Sequence, residues 1–204
     1  MIDHIFTFLN YIQLLIENNY FSALTFYFLF CFLFFFLSLP GGLFIVLSSG
    51  FFFGFYIGFL INIISITLGS LFFILISKYF LNNFFENYLS KYLSRLNKIF
   101  KKSSYEYLIL IRLAFGIPLI VQNLFISTLE ISYFKFTTSS LIGFSPYFLF
   151  FSYVGYKLSN LVEIKNLSFV DIVSFELILI IVVIIIFILF RILRNIKSNK
   201  QINN

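Results

Sequence analysis

The sequence predicts an all-α polytopic membrane protein with about four transmembrane helices and two opposed re-entrant hairpins, arranged as an inverted repeat. Of its 204 residues, 61% are hydrophobic and 11% are charged, and the mean hydropathy is +1.02. No formally charged residue lies between Glu17 and Lys78, a run of 60 residues. As a helix this run would measure about 90 Å, or roughly three crossings of a 30 Å hydrocarbon core.

The re-entrant hairpins are predicted from the placement of proline and glycine, all of which lie inside uncharged apolar stretches. Pro40-Gly41-Gly42 and Gly116-Ile117-Pro118 interrupt segments that otherwise have the composition of membrane spans. A bare backbone group facing hydrocarbon costs several kcal/mol, so broken backbone at membrane depth should line a cavity. One such break in each half of a chain indicates a substrate site in a transporter.

The first half of the chain is divided at the first break. Residues 1–19 have apolar side chains at helical spacing and predict an amphipathic helix in the membrane interface. The predicted membrane domain covers 20–158 and begins with a span at 20–39. The next 35 apolar residues are too long for one crossing and too short for two, so we predict a re-entrant element at 40–56 and a span at 57–78.

The basic residues flank the apolar runs. Six lie between positions 78 and 102 and four between 191 and 200, which predicts by the positive-inside rule that the 78–106 segment and the 194–204 tail are cytoplasmic. We interpret 78–106 as a basic interfacial helix; a solvated connector that only fixes topology is the alternative. The expected partners are membrane lipids with anionic headgroups rather than nucleic acid.

The second half repeats the pattern of the first. Residues 107–129 predict a second re-entrant element, 136–156 a span, and 159–193 a loop with the last span. Counting spans then places both termini in the cytoplasm of a multi-pass protein of the cell membrane. The first re-entrant element opens to the outside and the second to the cytoplasm, so the two should meet near the midplane.

Arg112 is the most informative single residue, since a charged side chain well inside a bilayer costs about 2.5–3.5 kcal/mol and is usually retained for function. Glu106, Glu130 and Glu176 are the available carboxylate partners, and a lipid phosphate is the functional alternative because guanidinium binds phosphate oxygens in a planar fork. Snorkelling to the headgroups or a structural ion pair would also explain it.

The two breaks supply the other candidate ligand contacts. Prolines remove backbone donors and leave helix ends whose N-terminal dipoles attract an anionic headgroup. Gln122 and Asn123, one turn beyond Pro118, either hold the hairpin together or touch substrate. The candidate substrate-binding residues are therefore Pro40, Gly41, Arg112, Gly116, Pro118 and Asn123.

A second group of residues is expected to serve packing. Glycines spaced four apart let neighbouring helix backbones approach closely, and a proline within a span usually makes a kink. Asn62, Ser65 and Thr67 are expected to hydrogen-bond between helices. The predicted hairpin and packing residues are Gly50, Gly54, Gly58, Gly69, Gly143, Pro146 and Gly155.

Enzymatic activity is not expected. His4 and Cys31 are the single histidine and cysteine, and the chain has no pair of intramembrane carboxylates and no H-E-x-x-H motif. We therefore predict no catalytic residues, no metal and no cofactor.

An ordered set of residues, spread over about 30–158, resembles the VTT domain of the DedA superfamily, also called SNARE-associated Golgi proteins. The set comprises Leu39-Pro40-Gly41, Gly50, Gly54, Gly58, Gly69, the stretch from Arg112 to Pro118, Asn123, Phe134, Thr138, Gly143, Pro146 and Gly155. The resemblance implies two opposed re-entrant hairpins and movement of lipids between leaflets, including phospholipids and polyprenyl phosphate carriers. The chain departs from the DedA branch at Gly42, where an acidic residue is common.

These observations together predict a translocase or scramblase for an anionic phospholipid, with Arg112 engaging the phosphate in a polar cavity formed by the breaks. One alternative is a non-transporting protein that organises membrane complexes through its basic helix and glycine faces. A second alternative is a transporter of small solutes.

Overall fold

The computed structural model describes residues 11–114 and 116–164, and beyond them only 182, 185, 186, 188–190 and 194. For 80–104 and 161–164 it describes the backbone alone. Most of the predicted last span and cytoplasmic tail, the first ten residues of the amphipathic segment, and most side chains of the basic segment therefore lie outside the described residues.

The described residues form helices and no strand, which confirms the all-α class. Tyr11–Asn18 (α1) meets the next helix at a bend of 109°. The helices that follow are α2 (Tyr20–Phe36), α3 (Gly42–Phe53), α4 (Phe55–Leu113), α5 (Leu119–Ser127) and α6 (Tyr133–Ile164).

The first break separates α2 from α3. Ser38 and Gly41 have positive φ angles of 51° and 95°, and Gly41 is the N-cap of α3. Gly54, with φ of 77°, then forms the corner between α3 and α4. Glycine adopts this left-handed backbone at no steric cost, so the chain can reverse direction within one or two residues.

Residues Phe55 to Leu113 are helical throughout but do not form one straight rod. Ile74 and Leu108 pack in one cluster, although 34 residues of straight helix would separate them by about 51 Å, so α4 reverses direction between them. It joins the predicted span at 57–78, the basic segment at 78–106 and the start of the predicted second re-entrant element at 107–129. The chain contains no glycine or proline between Gly69 and Gly116, so this reversal occurs without either of the residues that most often end a helix.

The second break lies between α4 and α5. Gly116 has a φ of 92°, close to that of Gly41, and Pro118 is the N-cap of α5. Helix α6 then contains the predicted span at 136–156 and retains Pro146 in its interior. Each half of the described chain thus has a left-handed glycine, a short apolar helix and a long helix.

Among the described residues, one unbent helical segment is both long and apolar enough to cross a membrane. Phe55–Tyr79, the first part of α4, is long and apolar enough to cross a membrane. Helices α1 and α2 together satisfy the same criteria as one bent segment. Helix α3 is apolar but shorter.

Glycines let α3 pack directly against α6. A β-carbon at Gly50 would overlap the backbone of Ser152, and one at Gly155 would overlap the backbone carbonyl of Leu47. The two helices therefore touch backbone to backbone at two positions, with no side chain between them. Close approach of this kind lets helices associate without a hydrophobic driving force.

Other glycines bring α4 close to its neighbours. A methyl group at Gly58 would lie 2.7 Å from the backbone nitrogen of Gly50, and one at Gly69 would lie 2.7 Å from that of Phe36. One at Gly143 would overlap Arg112. Gly54 has no neighbour within 4 Å of such a methyl group, so this residue serves the corner rather than helix packing.

A polar contact and an apolar cluster hold α3 against the other helices. Asn62 on α4 donates hydrogen bonds to Ser49 on α3 and, over 2.8 Å, to the Gly58 carbonyl. The cluster around them consists of Cys31, Phe35, Val46, Phe53, Ile61, Ile63, Ile66, Phe144 and Phe148. It joins α2, α3, α4 and α6 into one packed unit.

We predict that Gly50→Ala destabilises the fold by about 1–3 kcal/mol, because the added methyl group must push the α6 backbone away from α3. A melting curve of the purified protein in detergent should show a lower Tm. Gly42→Ala is the matched control, since there the nearest neighbour is a side-chain atom of Phe35 at 3.1 Å. A Gly50→Ala variant as stable as the Gly42→Ala variant would contradict direct backbone packing.

Candidate functional site

A cavity of about 610 Å³ lies between the two breaks. Leu39 to Leu43 form one side of its wall, and Gly116 to Ile120 form the other. Four of the predicted substrate-binding residues therefore line the same cavity although the two breaks are far apart in sequence: Pro40, Gly41, Gly116 and Pro118.

The lining of this cavity is mostly apolar. Phe35, Ile66 and Phe148 form part of it, and the polar side chains in it are those of Ser38, Gln122 and Tyr147. The prediction of a polar cavity was therefore wrong. The physical reason is that the breaks occur within apolar sequence, so their neighbours bring apolar side chains to the cavity.

Two helices begin at the cavity. Gly42 and Leu43 start α3, Leu119 and Ile120 start α5, and all four residues line the wall. Neither helix has a side-chain cap at its N-terminus. The first N–H groups of a helix have no partner within the helix and carry partial positive charge, so both termini favour an anion at the cavity.

Arg112, in the last turn of α4, is buried directly behind the cavity wall. Its exposed fraction is 1%, and it is not among the residues that line the cavity. Nη1 donates to Oε1 of Gln122 over 3.2 Å, and Nη2 donates to Oδ1 of Asn123 over 2.9 Å. The snorkelling alternative does not fit this burial.

Two aromatic rings of α6 cover the guanidinium. Its carbon atom lies 5.1 Å from the ring centre of Phe136 and 4.8 Å from that of Phe144. The overlap that a side chain at position 143 would make with Arg112 explains why glycine is needed there. Cation–π attraction is substantial in a desolvated site, so the rings replace part of the lost hydration.

The partners of Arg112 among the described residues are neutral. The sequence suggested Glu106, Glu130 or Glu176 as a partner, but in the described part of the chain two amide oxygens take that place; Glu176 lies outside it. The Nε atom is buried without a hydrogen-bond partner. The charge of Arg112 is thus solvated but not neutralised by these contacts.

The hydrogen bonds continue from Arg112 to both breaks. Asn123 donates to Oγ of Ser38 over 3.0 Å, and Gln122 donates to the carbonyl of Ile117 over 3.1 Å. The hydroxyl of Tyr147 donates to the Arg112 carbonyl over 3.1 Å. One network therefore fixes the first break, the second break and the end of α4 relative to one another.

Sequence reasoning missed several members of this site. Ser38 lies two residues before Pro40, and its position beside a break was an available signal. Phe136, Phe144 and Tyr147 carried no signal, because the chain has 34 phenylalanines and 13 tyrosines and their spacing distinguishes none of them. For Asn123 the sequence left open whether it holds the hairpin together or touches substrate; it is not among the residues that line the cavity, and it hydrogen-bonds Arg112 and Ser38.

We predict that Asn123→Ala lowers the free energy of unfolding by about 1–3 kcal/mol, since it leaves a buried charged donor and the Ser38 hydroxyl without this partner. Thermal denaturation in detergent measures the loss. Ser127→Ala, one turn further along α5, is the control because its hydroxyl bonds only to the Leu124 carbonyl of its own helix. Equal stability of the two variants would argue against the network.

A comparison with protein families identifies the part of the chain that carries this geometry. The family model of the VTT domain matches residues 39–157. The match includes both breaks, Arg112 and the α6 residues that cover it. No curated protein and no solved structure matches the chain.

Proposed function

The chain belongs to the VTT domain family, which makes it a membrane protein of the DedA group, and on that premise we propose that it is a lipid translocase or scramblase. Its substrate would be an anionic phospholipid that moves between leaflets through the cavity at the two breaks. The observation that carries the proposal is the position of Arg112, a buried cation with neutral described partners, behind a cavity that both breaks line.

The size and lining of the cavity support an amphiphilic ligand. Its volume lies within the range of about 300–1000 Å³ typical of small-molecule sites, which are mostly apolar with a few placed polar groups. Leu39, Ile117 and Ile120 are exposed at the cavity. An apolar chain can pack against these residues while a headgroup remains near the polar ones.

Electrostatics support a negative charge on that ligand. The uncapped N-termini of α3 and α5 meet at the cavity, and phosphate groups bind readily at helix N-termini. Behind the wall, Arg112 adds a full positive charge that no described carboxylate pairs with. A phosphate provides the oxygen acceptors that both features favour.

Within the membrane we propose four spans, at 20–39, 57–78, 136–156 and 172–190, with both termini cytoplasmic. Helices α3 and α5, of 12 and 9 residues, measure about 18 Å and 14 Å and are too short for a 30 Å core. They are the two proposed re-entrant elements. The left-handed glycine before each of them supports an inverted repeat.

The charge of Arg112 can be tested without removing its side chain. Asn123→Asp places a carboxylate where an amide oxygen now accepts from Nη2 over 2.9 Å, which neutralises the charge. The bond to Ser38 can be kept because the serine hydroxyl, which now accepts from Nδ2, can rotate to donate to the second carboxylate oxygen. We expect lipid flipping to fall at least about tenfold, because the anionic substrate loses the attraction of the guanidinium. The assay is flipping of a fluorescent phospholipid and of a polyprenyl phosphate in liposomes.

Asn18→Asp, an exposed position at the end of α1, is the matched control and should flip lipid at the wild-type rate. Wild-type flipping by a folded Asn123→Asp variant would show that the Arg112 charge is not needed. If folded wild-type protein flips neither lipid, lipid translocation itself is wrong, and the small-solute or membrane-organising alternatives take its place.

The route through the cavity has a separate steric test. Leu43→Trp adds an indole to the cavity wall and should reduce flipping at least about tenfold while leaving the fold intact, because the site loses room for the lipid chain. Phe44→Trp is the control, since Phe44 is 76% exposed and does not line the cavity. Equal flipping by these two variants in the same liposome assay would place the route elsewhere.

A further inference from the structure

Gln122 is both part of the cavity wall and a partner of the buried charge. Gln122 is among the residues that line the cavity, whereas Arg112 is not. Its Oε1 accepts from Nη1 of Arg112, and its Nε2 donates to the carbonyl of Ile117. The amide therefore stands between the guanidinium and the cavity, held at both ends by hydrogen bonds.

The other contacts of the guanidinium leave little room for a ligand. Nη2 is bound to Asn123, which is in turn fixed by Ser38. The guanidinium also lies over the rings of Phe136, which is 3% exposed, and Phe144, which is 2% exposed. Of these four neighbours, only Gln122 combines a hydrogen bond to the guanidinium with a place in the cavity wall.

We infer that Gln122 is a specificity-determining residue that rotates away so that an anionic headgroup takes its place as the acceptor for Nη1 of Arg112. Leaving this position breaks both hydrogen bonds of the amide. A phosphate oxygen replaces the lost acceptor with a charge-assisted bond, whereas an uncharged headgroup supplies no comparable bond. Gln122 thus makes opening of the site depend on ligand charge. This inference rests on the proposed function, because it concerns the ligand of the same cavity.

Removing the amide should raise the affinity for anions. If only a fraction of the protein molecules have an open site, the apparent dissociation constant of the ligand is raised in proportion to how small that fraction is. A substitution that keeps the site open in all molecules removes this loss of affinity. Gln122→Ala should therefore lower the half-saturating concentration of dihexanoyl phosphatidate about tenfold. Gln122→Glu should abolish the binding, because a carboxylate of similar shape pairs with Arg112 and cannot be displaced by a phosphate.

The measurement is the concentration dependence of thermal stabilisation of the full-length protein in detergent. Dihexanoyl glycerol, which has the same chains and no phosphate, is the uncharged probe, and its affinity should not rise in Gln122→Ala. Ile120→Ala is the matched variant: it also enlarges the cavity at α5, but the apolar side chain that it shortens makes no hydrogen bond to Arg112 or its partners. It should not raise phosphatidate affinity.

The inference would be overturned by an unchanged phosphatidate affinity in Gln122→Ala, or by an equal rise in phosphatidate affinity in Ile120→Ala. The double variant Gln122→Ala with Arg112→Lys, which keeps a cation but loses the fork, should lose most of the gain. Retention of the full gain would show that the ligand does not bind Arg112. Liposome flipping by the wild type is measured separately. The protein can therefore fail to flip lipid although the Gln122 prediction holds, and it can flip lipid although the Gln122 prediction fails.

Discussion

The buried guanidinium of Arg112 is the interaction on which the arrangement of the breaks depends. An isolated charge inside a protein is expensive unless hydrogen bonds surround it. Here the surrounding groups come from two helices and the first break: the amides of α5, the aromatic rings of α6 and, through Asn123, Ser38. Their hydrogen bonds and ring contacts with Arg112 help to fix these groups in place. The short helix α5, which has few contacts of its own, is thereby tied to the end of α4.

The two halves of the chain are joined by small contacts rather than by long side chains. Asn123 and Ser38 are 85 positions apart and bring the two breaks within one hydrogen bond of each other. Glycines in α3 and α6 likewise bring the backbones of these two helices into direct contact. Because both kinds of contact tolerate little displacement, the cavity between the breaks has a defined wall even though much of its lining is backbone and apolar side chain.

Much of this architecture was predictable. The positions of Pro40 and Pro118 in uncharged sequence indicated where the backbone breaks, and the family match over 39–157 confirms the resemblance to the VTT domain. The helical conformation of the basic segment also follows from the absence of glycine and proline there, whereas the reversal of α4 between Ile74 and Leu108 has no such signal in the sequence. The contacts of Arg112 could not be predicted, because they depend on which phenylalanines of α6 face α4, and composition does not distinguish one phenylalanine from another.

The separation between the cavity wall and the charge behind it has a consequence for ligand selection. A cation exposed in the wall would attract any anion and would remain hydrated when the site is empty. Behind Gln122 and Phe144 the guanidinium is dry, so its interaction with an anion is stronger than in water, but a ligand reaches it only by displacing a hydrogen-bonded neighbour. Binding of an anion then has two steps. The helix N-termini of α3 and α5 first attract any anion into the cavity, and Arg112 then binds only an anion that replaces Gln122 as its hydrogen-bond acceptor.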